Sequence, residues 1–278
     1  MKLIKNMFIR IITSANTPSI AAQMSYYLML SFIPAMIFII SIATKLYLPA
    51  DNILSYLEFI MPRTAYTAVS TAINEVLSSN INVATLLLSL WFIMMGIRGV
   101  IIGLATSYPE TYHRHVVKLY LLSFIFSILF VIIIIISLAL IVFGKHLGAL
   151  ITNYLESYAN AVLLGRFLSY IVVFSILAFT FSLLYKHAPN IKLRFRDIYF
   201  GAIFTSLGWI VSSMFFSFYI NNFNRYGLVF GSLGGIFVFL LWIYLTTYII
   251  LIGNEINVSI YIYRHTNKDA SKLIDKTK

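Results

Sequence analysis

The run VIIIIISLALIVF at residues 131–143 carries no charge and no apolar–polar alternation. It belongs to an apolar segment at about 118–143, longer than the roughly 20 residues a helix needs to cross the hydrocarbon core of a bilayer. In lipid, only helices and closed barrels satisfy every backbone donor and acceptor internally. A barrel strand would alternate over about ten residues, so this continuous run predicts a transmembrane helix.

Five further apolar segments, at about 26–48, 84–106, 166–185, 199–220 and 229–262, predict five more. The expected fold is an all-α polytopic membrane protein, one integral membrane domain with six transmembrane helices. Composition agrees: 60% of the 278 residues are hydrophobic and 10% charged, with a mean hydropathy of +0.91.

The opening MKLIKNMFIRIITSAN places Leu3, Ile4, Met7, Phe8, Ile11 and Ile12 at helical spacing, with Lys2, Lys5 and Arg10 on the other arc. It predicts an interfacial helix over residues 1–16. A signal peptide is disfavoured because Lys5, Asn6 and Arg10 interrupt any apolar core. In the first connection, 49–82, helical spacing predicts short amphipathic helices on either side of Pro62. Residues 263–278 read as a polar tail.

Charge gives the orientation. Fourteen of the Lys and Arg residues fall on the N-terminus, the second and fourth connections and the tail, against five on the other side. Positive residues accumulate in cytoplasmic loops, so both termini are expected in the cytoplasm and 49–82 outside. The same rule accounts for the net charge of +11. The basic loops therefore point to anionic lipid headgroups as partners, with Lys186, Arg194 and Arg196 at headgroup depth, and not to nucleic acid.

Enzyme chemistry finds little to work with. There is no cysteine, and the nine carboxylates are scattered. His113 and His115, with His187 on another loop, lack a third ligand at metal spacing. No catalytic residue, metal or cofactor is expected, and no phosphate-binding loop or dinucleotide fingerprint occurs.

Four intramembrane features remain. Pro34 interrupts the first span, as a kink or a hinge. Gly96, Gly99 and Gly103 form one small-residue face, and Gly231 and Gly234 a second cluster, both suited to close helix packing. Arg98 lies inside the second span, where an uncompensated guanidinium costs at least about 2.5–3.5 kcal/mol. Glu255 shares its predicted depth in the sixth span, with Tyr244 and Tyr248 on the same helical face. The expected arrangement is a polar network in which Arg98 and Glu255 pair beside a cavity.

The carboxy-terminal half resembles the YihY/BrkB family of bacterial inner-membrane proteins, historically mislabelled ribonuclease BN. The resemblance rests on Leu184, Tyr185, Lys186, Pro189 and Asn190, then Gly201 and Ala202, Trp209, Phe216 and Tyr219, Trp242 and Tyr244, and Gly253, Glu255 and Asn257. Upstream, AAQMSYYLMLSFIP and IRGVIIGLATSY, with Arg98 and Tyr108, are similar to the family's first two spans. Tyr199 and Phe200 stand where the family commonly has Pro, and Phe230 replaces a usual Tyr. The resemblance implies six spans, a bacterial plasma (inner) membrane location and a proposed transport or envelope role. The expected function is transport or export of a small or amphiphilic solute, such as a lipid. A non-transporting envelope scaffold is the alternative, and ribonuclease activity is disfavoured.

Overall fold

The computed structural model describes residues 16–45, 70–71, 74, 83–108, 114–154, 159–222 and 232–276. They form six long helices: α1 (Thr17–Lys45), α2 (Val83–Ala105), α3 (Val116–Tyr154), α4 (Ala159–His187), α5 (Phe195–Asn222) and α6 (Ser232–Lys276). Among the described residues there is no strand. Five helices contain stretches long and apolar enough to cross a membrane: Thr17–Ile42, Val83–Ala105, Val116–Ile136, Phe195–Phe216 and Phe237–His265. In α4 the corresponding described stretch, Ile171–His187, is shorter.

Several boundaries differ from those expected. The residues read as a polar tail continue α6 as far as Lys276, because nothing after Gly253 in that sequence breaks a helix. The connection expected at 144–165 contracts, since α3 runs on to Tyr154 and α4 starts at Ala159. The expected interfacial helix falls almost wholly on residues 1–15, outside the described residues. So does most of 49–82, of which Ser70, Thr71 and Asn74 are helical.

The side chains are arranged for a bilayer. Leu87, Leu88, Phe92, Leu121, Ile125, Phe204, Leu207, Phe215 and Leu241 face outward, whereas Ser123, Ser127, Thr205, Ser206, Thr247, Asn254 and Asn257 are buried. A soluble bundle inverts this pattern, because only water outside makes it costly to expose apolar groups. Lipid removes that cost and makes an unpaired polar group outside expensive.

Each helix packs on its neighbours in sequence, and α6 returns to α1, closing a ring in the order α1 to α6. The α1–α2 contact is the most extensive. A Cβ added to Gly96 would overlap Ser31, one on Gly99 would lie 2.7 Å from Tyr27 Cδ2, and one on Gly103 2.8 Å from Met24 Cγ. Three glycines at helical spacing thus let two backbones approach where lipid offers no hydrophobic drive for association. Pro34 lies within α1, which is helical on both sides of it.

At one end of the ring all six helices contribute to a filled core that includes Met24, Leu104, Phe126, Tyr185, Ile198, Leu251 and Tyr261. A second cluster, of Ala35, Phe38, Ile39, Ile93 and Val131, joins α1, α2 and α3 further along. The first end also carries Arg114, Lys118, Lys186, Lys192, Arg194, Arg196 and Arg264; it is called the basic end below.

Candidate functional site

The polar interior is organised around α6. Its Gly253 lies against Gly201 of α5, so close that a Cβ on Gly253 would meet Thr205 and stand 2.9 Å from the Gly201 carbonyl. Only glycine permits that approach. Into this contact α4 inserts Tyr185, which is fully buried. Its hydroxyl donates to the Ile250 carbonyl at 2.7 Å and accepts from Thr205 Oγ1 at 2.6 Å. Three helices are joined by one phenol.

Two asparagines extend the seam. Asn257 Oδ1 accepts the Gly201 N–H at 2.8 Å, and Asn254 Nδ2 donates to the Leu104 carbonyl at 2.8 Å. Leu104 is in the last turn of α2, where carbonyls have no partner within the helix. Nearer the middle of the bundle, Ser25 of α1 donates to the Ala21 carbonyl at 2.6 Å and accepts from Thr247 Oγ1 of α6 at 2.7 Å.

The seam is incompletely satisfied. Asn254 Oδ1 and Asn257 Nδ2 are buried without a hydrogen-bond partner, as are Ser212 Oγ, Ser213 Oγ, Trp242 Nε1 and Thr246 Oγ1. Such a group costs about 1–3 kcal/mol in a folded interior. The last four lie together by sequence register. Ser213 follows Trp209 by four residues and precedes Phe216 by three, and both rings contact Trp242, at 6.2 and 5.2 Å. Thr246 is one turn further along α6.

The basic end is tied separately. Asp197, buried in the first turn of α5, accepts from Arg264 of α6 and from the Arg194 main-chain N–H at 3.1 Å. That second bond is half of a capping box, with Asp197 three residues after the residue preceding the helix. Arg264 also donates to the Arg196 carbonyl at 2.7 Å. Arg114 reaches the end of α4, donating to the carbonyls of His187 at 3.0 Å and Pro189 at 3.3 Å. Partial burial lowers its pKa from the usual guanidinium value. Lys186 lies over the Phe195 ring, 3.9 Å from its centroid, while Arg194 and Arg196 are exposed.

Arg98 lies against a third helix. The guanidinium of Arg98 rests on the ring of Tyr120 in α3, 4.7 Å from its centroid. The glycine face of α2 turns toward α1, which leaves Arg98 directed toward α3. Glu255 is buried on α6, and Tyr244 and Tyr248 stack on each other at 6.1 Å. Gly231 lies outside the described residues, and Gly234 falls in the first turn of α6. Among the described residues no three His, Asp or Glu side chains converge as metal ligands; His113 is outside them.

Sequence reasoning named Tyr185, Gly201, Gly253 and Asn257 only through the family resemblance, and it passed over Asn254, Thr205, Ser25, Thr247 and Asp197. For Asn254 there was a signal: an amide deep in an apolar helix needs a partner on another helix.

Comparison with known proteins finds relatives along most of the chain. The family described as Virulence factor BrkB matches residues 8–275. The chain is 31% identical over 265 residues to the "Putative ribonuclease-like protein YfkH" of Bacillus subtilis, covering 94% of this chain and 96% of that protein. A UPF0761 membrane protein of Idiomarina loihiensis is 38% identical over 84 residues, 30% of each chain. One of Yersinia pseudotuberculosis is 33% identical over 98 residues, 35% of this chain and 33% of the other. No solved structure matches.

Proposed function

The chain belongs to the Virulence factor BrkB family of membrane proteins, and from that premise we propose that it transports or exports a small or amphiphilic solute through the centre of its helix ring. In this reading it sits in a bacterial plasma membrane with six spans and both termini in the cytoplasm, where positive charge collects. It performs no covalent chemistry.

One observation carries the proposal. The bundle is apolar toward lipid and carries polar groups inside it, and the buried polar atoms of Ser212, Ser213, Trp242 and Thr246, beside the α5–α6 contact, lack partners. A bundle that only needed to stand in lipid would place apolar residues there, since each unmade bond weakens it. Hydroxyls and an indole N–H are neutral groups that a passing solute can bond and leave, which is the balance transport requires. The filled core at the basic end then describes a state closed on that side.

Access of water tests this. The chain has no cysteine, so Ser212→Cys or Thr246→Cys supplies a single thiol. In membranes a water-soluble, charged thiol reagent should modify it faster than it modifies a Cys at lipid-facing Leu207. Modification only by a lipid-soluble maleimide would overturn the proposal.

A further inference from the structure

We propose that the turn between α4 and α5, at the basic end, binds the phosphate of an anionic membrane lipid, with Arg194 and Arg196 as its ligands and Lys186 and Lys192 beside them. This goes beyond the transport reading and holds whether or not solute crosses the ring.

Depth is the first argument. The apolar stretch of α5 that can cross a membrane begins at Phe195, and the described apolar stretch of α4 ends at His187. Arg194 and Arg196 therefore flank the first residue of one helix, and Lys186 stands in the last turn of the other. All three lie where hydrocarbon gives way to headgroups. Lys192, Arg194 and Arg196 are exposed there.

Rigidity is the second. Ala188, Pro189 and Leu193 are buried, so the turn packs on the bundle. Arg114 donates to the carbonyls of His187 and Pro189 and, from Nε at 3.4 Å, to Asn190 Oδ1. Asp197 holds the other end of the turn by accepting the Arg194 main-chain N–H at 3.1 Å. A side chain carried on a backbone fixed in this way has less freedom to lose when it binds.

The third argument is uncommitted charge. Asp197 is bound to Arg264, and among the described residues the side chains of Lys186, Lys192, Arg194 and Arg196 have no carboxylate partner. Lys186 leans on the Phe195 ring, 3.9 Å from its centroid, and a ring face attracts a cation without using up its N–H donors. Cations gathered about one turn suit an anion, and a phosphodiester fits the guanidinium fork. The neighbouring side chains suit a lipid better than a hydrated free anion. Phe195 is 55% exposed and Tyr199 40%, and with Ile203 they follow at four-residue steps. An exposed apolar ridge thus runs from the cations along α5, where an acyl chain can lie.

The test uses the purified full-length protein in detergent, so orientation in a membrane does not enter. Phosphatidylglycerol and phosphatidylcholine are supplied in equal amounts, and retained lipid is read by native mass spectrometry. Retention of phosphatidylglycerol should exceed that of phosphatidylcholine about fivefold, on the scale of one cation near an anionic surface. Arg194→Gln combined with Arg196→Gln should bring the ratio close to one. Lys118→Gln, at an exposed position of α3 on the same end, should leave it unchanged. Equal retention by the parent overturns the proposal. So does a Gln pair that lowers the ratio no more than Lys118→Gln, because the preference then belongs to the diffuse charge of the basic end. If the Gln pair fails to fold, Lys192→Gln in the turn is judged against Lys118→Gln by the same comparison. Loss of the preference on adding inorganic phosphate would assign the site to a free anion and also overturns the proposal.

Discussion

The side-chain amide of Asn254 donates to the carbonyl of Leu104 at 2.8 Å, so that α6 closes the open last turn of α2. Replacing Asn254 by Ala leaves that carbonyl buried and unpaired. It also removes the unpartnered Asn254 Oδ1, which offsets part of the cost. Thermal unfolding in detergent should show a net loss of about 1 kcal/mol. No loss would mean that water already serves the carbonyl, and the last turn of α2 would then be hydrated.

Glycine substitutions should separate two kinds of contact. In Gly253→Ala the new methyl meets Thr205, the Tyr185 hydroxyl at 2.7 Å and the Gly201 carbonyl at 2.9 Å, and a main-chain carbonyl cannot turn aside. In Gly208→Ala it meets only the Ile249 side chain, whose Cγ2 lies 2.7 Å away, and no main-chain atom. Overpacking should cost Gly253→Ala about 1–3 kcal/mol and Gly208→Ala less, read from paired melting curves. Equal losses would contradict the close α5–α6 contact.

Parts of this architecture were legible in the sequence. The spans were, because hydrocarbon demands long apolar helices regardless of their neighbours. Spacing also put Gly96, Gly99 and Gly103 on one face, and the structure sets that face against α1. The depth of Arg98 could be counted, but its direction could not. That depends on which neighbour receives the glycine face, which is a tertiary fact. Thr205, Ser25 and Thr247 were hidden for a local reason. Ser and Thr in helices usually bond a carbonyl three or four residues back, as Ser206 does to Ala202, and spacing does not reveal which also reach across. Asp197 was hidden because its partner Arg264 had been read as part of a tail, and the continuation of α6 brings them together.

The charge partition predicts a topology that labelling can check. A Cys at Asn74, in the first connection, should react with an impermeant reagent in intact cells, and one at Lys192 only after permeabilisation. The reverse pattern would invert the orientation.

At the basic end, Asp197 should matter more than Arg264. Asp197 is buried and serves both the α5 N-terminus and the guanidinium, whereas Arg264 keeps 40% of its side chain exposed. Asp197→Ala removes a capping acceptor and strands a charge, for a loss of about 1–2 kcal/mol. Arg264→Ala should cost less than that, because its guanidinium is partly solvated and Asp197 keeps the Arg194 N–H and the α5 N-terminus as partners. A larger loss in the Arg264 variant would show that Asp197 cannot be left buried without its cation.

The central claim is that a solute crosses the membrane through the helix ring, and two-sided access to one residue tests it most directly. In right-side-out and inverted vesicles, Thr246→Cys should be modified by an impermeant thiol reagent from both faces, more slowly from the basic end, where the six-helix core is closed. Modification from one face only, at every reagent concentration and temperature compatible with intact vesicles, would contradict the account and leave a fixed crevice in its place.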